Sequence, residues 1–454
     1  MIARTTKGVL FGVFVAFIGI ILAMTPFGAD FEKNVGLDWL FQVRGPLEPP
    51  PEVAVVAINE RDIAGLGLPQ LPRDWPRSIH GELVDRLVER GASTIIFDMD
   101  FQRPKNAEDD VAFARAVADS ERVVLFERLN GKRQPMYDMN GELTGTIWVE
   151  ELVPPIPALA DAAKSLAPFP VPKVQVNVYR FWPFKPSAGD APTMPSAALQ
   201  VHTLPVQAQW MDVLERAGAE GLEGLPRSQA EVGRAGEVDQ MMYRLRSAFI
   251  LDPGLADRVR EVLRSEWARQ ALTENERRLI TALAGLYSGP DNRYLNFYGT
   301  PGSIPNIPYN AVIQGGSATV SEAALDFTGK VVFVGFSDLY DPGQPDRFYT
   351  VFTNDDGVDL SGVEIAATAF ANLLTDRSLK PVGPWSTIVI LMLVGLVLGT
   401  GIYLLPAIAA VPLALVVSGL YVAGVQTSFE ALDLWLPLAI PMLVQLPLAL
   451  FVGL

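Results

Sequence analysis

Apolar and polar positions divide the chain into blocks. Residues 8–29 carry no charge, and residues 386–454 contain no Lys or Arg and only Glu430 and Asp433 as acids. A crossing of the hydrocarbon core takes about 20 apolar residues. The pattern therefore predicts membrane helices over 8–29, 386–405, 407–425 and 434–454, with 1–7 as a short leading segment and 30–385 as one polar domain. Gly395, Gly399 and Gly401 are small residues that allow close helix contact within the second span.

Within the polar middle, the first third alternates strand and helix. VAVVAIN (53–59), TIIFD (94–98) and the run 123–126 are short, apolar and β-branched, as expected for strands buried on both faces. Between them Ser78 can cap a helix carrying Ile79, Leu83, Leu87 and Val88 at helical spacing, closed by Gly91, and 109–118 reads as the next helix. Such a β-α-β-α-β unit forms a parallel sheet covered by helices. Residues 154–205 are dense in Pro and read as loop, or as a short hairpin around 173–179 (KVQVNVY). From about 205 to 290 the period turns helical, predicting a helical insertion. Sheet signals return at 307–312 and at 330–336 (KVVFVGF), and Ser361 can cap a helix over 362–374. The predicted class is α/β: a mostly parallel sheet flanked by helices with a helical insertion, plus four transmembrane helices.

Charge sharpens this picture. The chain has 36 Lys+Arg against 51 Asp+Glu, a formal net charge of −15. Outside the middle stand only Arg4, Lys7, Glu430 and Asp433, which cancel, so the whole negative charge belongs to the polar domain. Such a domain repels phosphate backbones, which excludes nucleic acid as a partner. Arg4 and Lys7 favour a cytoplasmic amino terminus, which puts the middle in the periplasm and the chain's two ends in the cytoplasm of a bacterial inner-membrane protein. An uncleaved helix is preferred to a signal peptide, because Phe27 spoils the small-x-small pattern ending at Ala29. The spans hold no ionisable side chain within their apolar stretches, which argues against transport.

Cysteine is absent, so disulfides, thiolate metal sites and a thiol nucleophile are excluded. His80 and His202 are the only histidines and make no zinc motif. The stretch Asn354-Asp355-Asp356-Gly357 lacks calcium-loop spacing, because Phe352 stands at the first ligand position. No nucleophile elbow or phosphate loop occurs in a suitable context, so the expectation is no catalytic residue, no metal and no cofactor within 1–454.

Asp98 and Asp100 stand at the carboxyl end of a predicted parallel strand, where open α/β sheets bind ligands. Asp338, Asp341 and Asp346 follow KVVFVGF and can line the same edge, offering a site for a cation, a polyhydroxy compound or a cationic ligand. Against this, Asp after a strand commonly forms turns or caps. Arg77, close behind Trp75-Pro76, can meet an anion or one of these carboxylates, with a structural ion pair the preferred role. Glu364 and the connection Pro381, Pro384 and Trp385 are candidates for relaying a signal from the domain to the second span.

Taken in order, Leu37-Asp38 with Arg44-Gly45-Pro46, VAVVAINE, Trp75-Pro76-Arg77-Ser78, IFDMDF (96–101), GKVVFVG (329–335) and GVEIA (362–366) resemble the type-2 CHASE domain. This is an extracellular sensory domain of bacterial adenylate cyclases and sensor kinases, with a one-before, three-after arrangement of spans. The resemblance covers roughly 30–385, with little support from 150 to 300. It implies a receptor whose cytoplasmic effector follows residue 454, most commonly a class III adenylate cyclase using ATP and a divalent metal to make cyclic AMP. A homodimer is then implied, because such cyclases build active sites between two catalytic domains. The alternatives are a Ser/Thr or histidine kinase output, or a membrane-anchored assembly module with no output. Membrane lipid and an unknown extracytoplasmic ligand or protein complete the expected partners.

Overall fold

The computed structural model describes residues 2–69, 71–171, 177–316, 320–339, 346–353 and 358–453. The chain forms two compact units, Pro46–Ser378 in one and Met1–Gly45 with Leu379–Leu454 in the other.

The first unit is built on a six-stranded sheet. Its strands are β1 (Val53–Ile58), β2 (Thr94–Phe97), β3 (Val123–Phe126), β6 (Ser165–Ala167), β7 (Asn306–Pro308) and β8 (Val331–Phe336). Two further strands, β4 (Arg128–Tyr137) and β5 (Leu143–Val153), make a separate antiparallel ribbon. The sheet order is β7-β1-β8-β2-β3-β6, parallel throughout. The last strand in sequence, β8, thus lies at the centre between β1 and β2. β1 and β2 are buried along their whole length, which explains why they read as unbroken apolar runs rather than alternating ones.

Each sheet face has its own helical layer. On one, Val56, Phe97, Leu125 and Val334 pack with Leu83 and Leu87 of the helix Ser78–Glu89 and Phe113 and Val117 of the helix Ala107–Ser120. On the other lies the helix Gly362–Thr375, whose Phe370 ring meets Phe333 at 5.7 Å. Gly335 permits that approach, since a Cβ there would sit 2.9 Å from the Cβ of Val363. The predicted insertion is helical, but it is no appendage. Its helix Ala235–Leu251 packs on β6, and Glu274–Ser288 packs on Gly362–Thr375, so both complete the second layer. The Pro-dense stretch read as loop also contains a helix, Met194–His202, buried over all but its last residue. Burial on every side leaves no polar stripe, so no amphipathic period marks it. Residues 172–176 of the proposed hairpin lie outside the described residues, and 177–179 form no strand.

In the second unit, the helices Ile2–Ala23 and Pro384–Leu404 pack closely through small residues. A Cβ on Gly395 would lie 2.5 Å from Ala16 backbone, and one on Gly399 would lie 2.7 Å from the Cα of Gly12. Backbones approach in this way where small residues recur every four positions. Among the described residues, three helices are long and apolar enough to cross a membrane: Arg4–Ala23, Pro384–Leu404 and Ala407–Leu432. The third runs past the predicted end at 425, because Gln426–Leu432 continue the helix. The predicted fourth span is not present at that length. Leu434–Trp435 instead pairs in parallel with Lys380–Pro381, and the remaining apolar helix is the shorter Pro441–Gly453. Extended backbone at 434–435 consumes residues that a full crossing would need. Glu32 accepts the amide hydrogens of Leu438, Ala439 and Ile440 just before that helix.

Candidate ligand cleft at the carboxyl edge of the sheet

The carboxyl ends of β1, β8 and β2 open into a cavity of about 940 Å³. Ile58 and Phe336 form its floor with Asp98, Met99 and Asp100. The helix Glu60–Leu66 lines it through Ile63 and Ala64, and Leu68, Leu71 and Pro72 line it beyond that helix. Among the described residues, the carboxylates Glu60, Asp98 and Asp100 and the cation Arg73 stand among these apolar side chains. This is the composition of a small-molecule pocket, apolar walls with a few convergent polar groups.

The predicted site residues separate on inspection. Asp98 and Asp100 both line the cavity. Asp100 is held by its neighbours: it accepts the amide of Gln102 at 2.9 Å and pairs with Arg128 at 3.0 Å. Asp338 does not line the cavity. It is buried and accepts the amide of Glu60 at 3.3 Å, tying the end of β8 to the start of the wall helix. Asp341 and the stretch 354–357 lie outside the described residues. Asp346 lies beside the start of the helix Gly362–Thr375, where its carbonyl accepts the amide of Gly362 at 3.3 Å. Arg77 is buried away from these carboxylates. It bonds Asp110 at 2.8 Å and the carbonyl of Phe101 at 3.2 Å, so it braces the loop after β2 from behind.

Behind the floor lies a buried polar chain. Ser337, one residue beyond Phe336, donates to Glu364 at 3.4 Å and receives the Asn306 amide at 3.1 Å. Glu364 also accepts the amide of Gly302 at 2.7 Å and the Ser361 hydroxyl at 3.1 Å, closing a capping box on the helix Gly362–Thr375. Burial pushes the Glu364 carboxyl above its ordinary range, against the opposing pull of these donors. The chain β8–Ser337–Glu364 thus connects the cleft floor to that helix. Pro381, Pro384 and Trp385 belong to the second compact unit. Pro384 opens the helix Pro384–Leu404, and Trp385 is largely exposed.

Both histidines are packing residues. His80 is buried between Trp75 and Tyr309, its Nδ1 2.9 Å from the Tyr309 hydroxyl, and burial lowers its pKa to about 3. His202 meets Ser93 at 2.9 Å and burial lowers it to about 4. Among the described residues no group of three or more His, Asp or Glu side chains is placed to hold a metal ion. Sequence reasoning missed Glu60, Arg73 and the apolar wall. The signal available was the run Glu60–Leu66 directly after β1, where a parallel sheet places ligand-facing loops.

The fold and cleft define a class: a membrane-associated protein with an α/β domain that offers a pocket at its sheet edge. The model of the CHASE2 domain family matches residues 13–401, most of the chain, and the protein belongs to that family. CHASE2 is a sensory domain of signalling proteins. Neither the curated proteins nor the solved structures yielded a match.

Proposed function

We propose that this protein is the sensory and membrane-spanning part of a transmembrane receptor, and that the cleft over β1, β8 and β2 receives its stimulus. The observation carrying this reading is the cavity itself, placed at the carboxyl edge of a parallel sheet in a sensory family. The ligand class is a small cationic or polyhydroxylated molecule, held by Asp98 and Asp100 against the apolar wall. Occupancy changes the floor, and the Ser337–Glu364 contact passes that change to the helix Gly362–Thr375. The connection through Pro381, Pro384 and Trp385 then hands it to the membrane helices. The effector is a cytoplasmic class III adenylate cyclase making cyclic AMP, working as a homodimer, with the sensory domain in the periplasm of a bacterial inner-membrane protein.

Thermal-shift measurements on the purified full chain, run against panels of cationic, polyhydroxylated and anionic small molecules, test the ligand class. Stabilisation by members of the first two panels, abolished by the cavity-filling Ala64→Trp, supports the proposal. Stabilisation by anions alone, or an unchanged response in Ala64→Trp, refutes it. An alkaline phosphatase fusion near residue 300 is expected to be active, and an inactive fusion would reverse the topology.

A further inference from the structure

The second compact unit, which carries the membrane-length helices, holds a cavity of its own. Its volume is about 400 Å³, within the range of small-molecule sites. One wall is the continuous helical run of Glu32–Leu37 and Asp38–Arg44. Asn34, Asp38 and Gln42 recur on it every four residues and line the cavity as a polar stripe. The lining supplied by the other elements is apolar. It comprises Val422 of the helix Ala407–Leu432, with Leu438, Met442 and Leu443 just before and within the helix Pro441–Gly453.

Fixed contacts frame this space. Glu32 is buried and accepts the amides of Leu438, Ala439 and Ile440, which fastens the apolar wall to the start of the polar one. Gly36 stands at that junction, where a Cβ would meet both Oε1 of Glu32 and the amide nitrogen of Ala439. Phe41 meets Phe429 edge to face at 5.2 Å, tying the same run to the helix Ala407–Leu432. Polar groups set in an apolar enclosure need hydrogen-bonding partners. The space therefore suits a guest that is polar at one side and apolar over the rest.

The surroundings indicate where such a guest comes from. Val35, Trp39 and Val43 also recur every four residues on the run, and all three are exposed, as is Leu443. Exposed apolar side chains in a unit with membrane-length helices are sites of lipid contact, and Trp favours the membrane interface. The cavity therefore opens to the bilayer. Two of its polar groups are amides, which both donate and accept, and no Lys or Arg lines it among the described residues. That set suits hydroxyl or carbonyl groups and offers no cation to a phosphate.

We propose that this cavity binds an uncharged amphiphile drawn from the bilayer. Its hydroxyl or carbonyl head meets Asn34, Asp38 and Gln42, and its apolar body lies against Val422, Leu438 and Met442. The inference goes beyond the sensor reading and stands without it, since no residue of the sheet-edge cleft takes part.

The test labels the purified full chain, in phosphatidylcholine nanodiscs, with a photoreactive diazirine analogue of 1-oleoylglycerol and maps the adducts by mass spectrometry. Adducts are expected to concentrate in residues 34–43 and 438–443, displaced by excess 1-oleoylglycerol but not by an equal excess of phosphatidylglycerol. Val422→Trp fills the cavity and should cut this labelling about tenfold or more. Leu415→Trp, exposed on the same helix and no part of the lining, should leave it unchanged. Gln42 is exposed, so Gln42→Leu leaves the frame intact and should weaken displacement about fivefold. That variant decides the matter if melting temperature shows Val422→Trp to be unfolded. Three results overturn the proposal: adducts spread evenly over the apolar helices, equal displacement by phosphatidylglycerol, or parent-like labelling in a folded Val422→Trp. Parent-like displacement in Gln42→Leu overturns it as well.

Discussion

The six-stranded sheet and the β4–β5 ribbon use similar residue types under opposite conditions. The sheet's central strands are covered on both faces, and its edge strand β6 is clamped by Asp239, which accepts the Ser165 hydroxyl at 2.8 Å. The ribbon is tied only near its root, where Lys185 and Ser187 meet Glu150 and Gln102 meets the Val153 carbonyl, and its outer part is exposed. In the sheet, apolar residues supply stability, and a change of one methylene is felt throughout a close-packed interior. In the ribbon the same residue types, Tyr137, Leu143, Ile147 and Trp148, stay exposed and so contribute little to folding. Burial thus separates the two β structures, which are joined where Arg128 of the ribbon meets Asp100 of the cleft.

The comparison breaks first if the sheet tolerates truncation. Phe97 is fully buried, with its ring 5.4 Å from that of Phe113. Phe97→Ala is expected to cost about 3–5 kcal/mol in urea unfolding of the purified chain, and a negligible cost would place the core elsewhere. Next comes overpacking at the sheet–helix contact. Gly335→Val should cost about 1–3 kcal/mol by the same measurement, partly recovered by Val363→Ala, because Val363 is what the new side chain meets.

The clamp on β6 gives a pH signature. Burial, then the neighbouring Glu127, pushes the Asp239 carboxyl from 3.8 up to about 7, against the Ser165 bond, and burial also pushes Glu127 up to about 7. A raised carboxyl binds a proton more readily in the folded state than in the unfolded one. Its stabilising contribution is therefore complete below about pH 4 and lost as pH rises through about 7. Melting curves should show Asp239→Asn flattening this part of the decline and narrowing the deficit at pH 8. A variant that tracks the parent across the range would remove Asp239 from the account. The smallest effect belongs to the ribbon: Thr146→Lys should stay within about 0.5 kcal/mol of the parent in urea unfolding. A larger loss would mean that the ribbon belongs to the folding core.

Much of the sheet was legible because VAVVAIN, TIIFD and KVVFVGF are unbroken apolar runs, and such runs need burial on two faces. Their parallel arrangement brought Asp98 and Asp100 to the edge by topology alone. The rest of the cleft was not legible. Its wall comes from a short helix with no strong period, and Arg128 reaches Asp100 through the ribbon, which drew no expectation. Asn140-Gly141 between strand-forming runs was the signal that would have marked it. Arg77 stood near the right loop in sequence, but its partner is Asp110, on a helix whose packing no local pattern reveals. The last apolar run misled for a related reason. Hydropathy counts Leu434 and Trp435 toward a span, while their backbone bonds go to the Lys380–Pro381 segment.

The central claim is that the sheet-edge cleft receives the stimulus. Its most direct test joins the full chain to a class III adenylate cyclase catalytic domain after Leu454 in a cyclase-deficient bacterial host. Cyclic AMP is then measured across growth media for the parent and for Asp98→Asn with Asp100→Asn, with melting temperature confirming that the variant is folded. The account predicts that output varies with medium in the parent and that this variation is lost in the double variant while basal output persists. A folded double variant that responds as the parent does would contradict it.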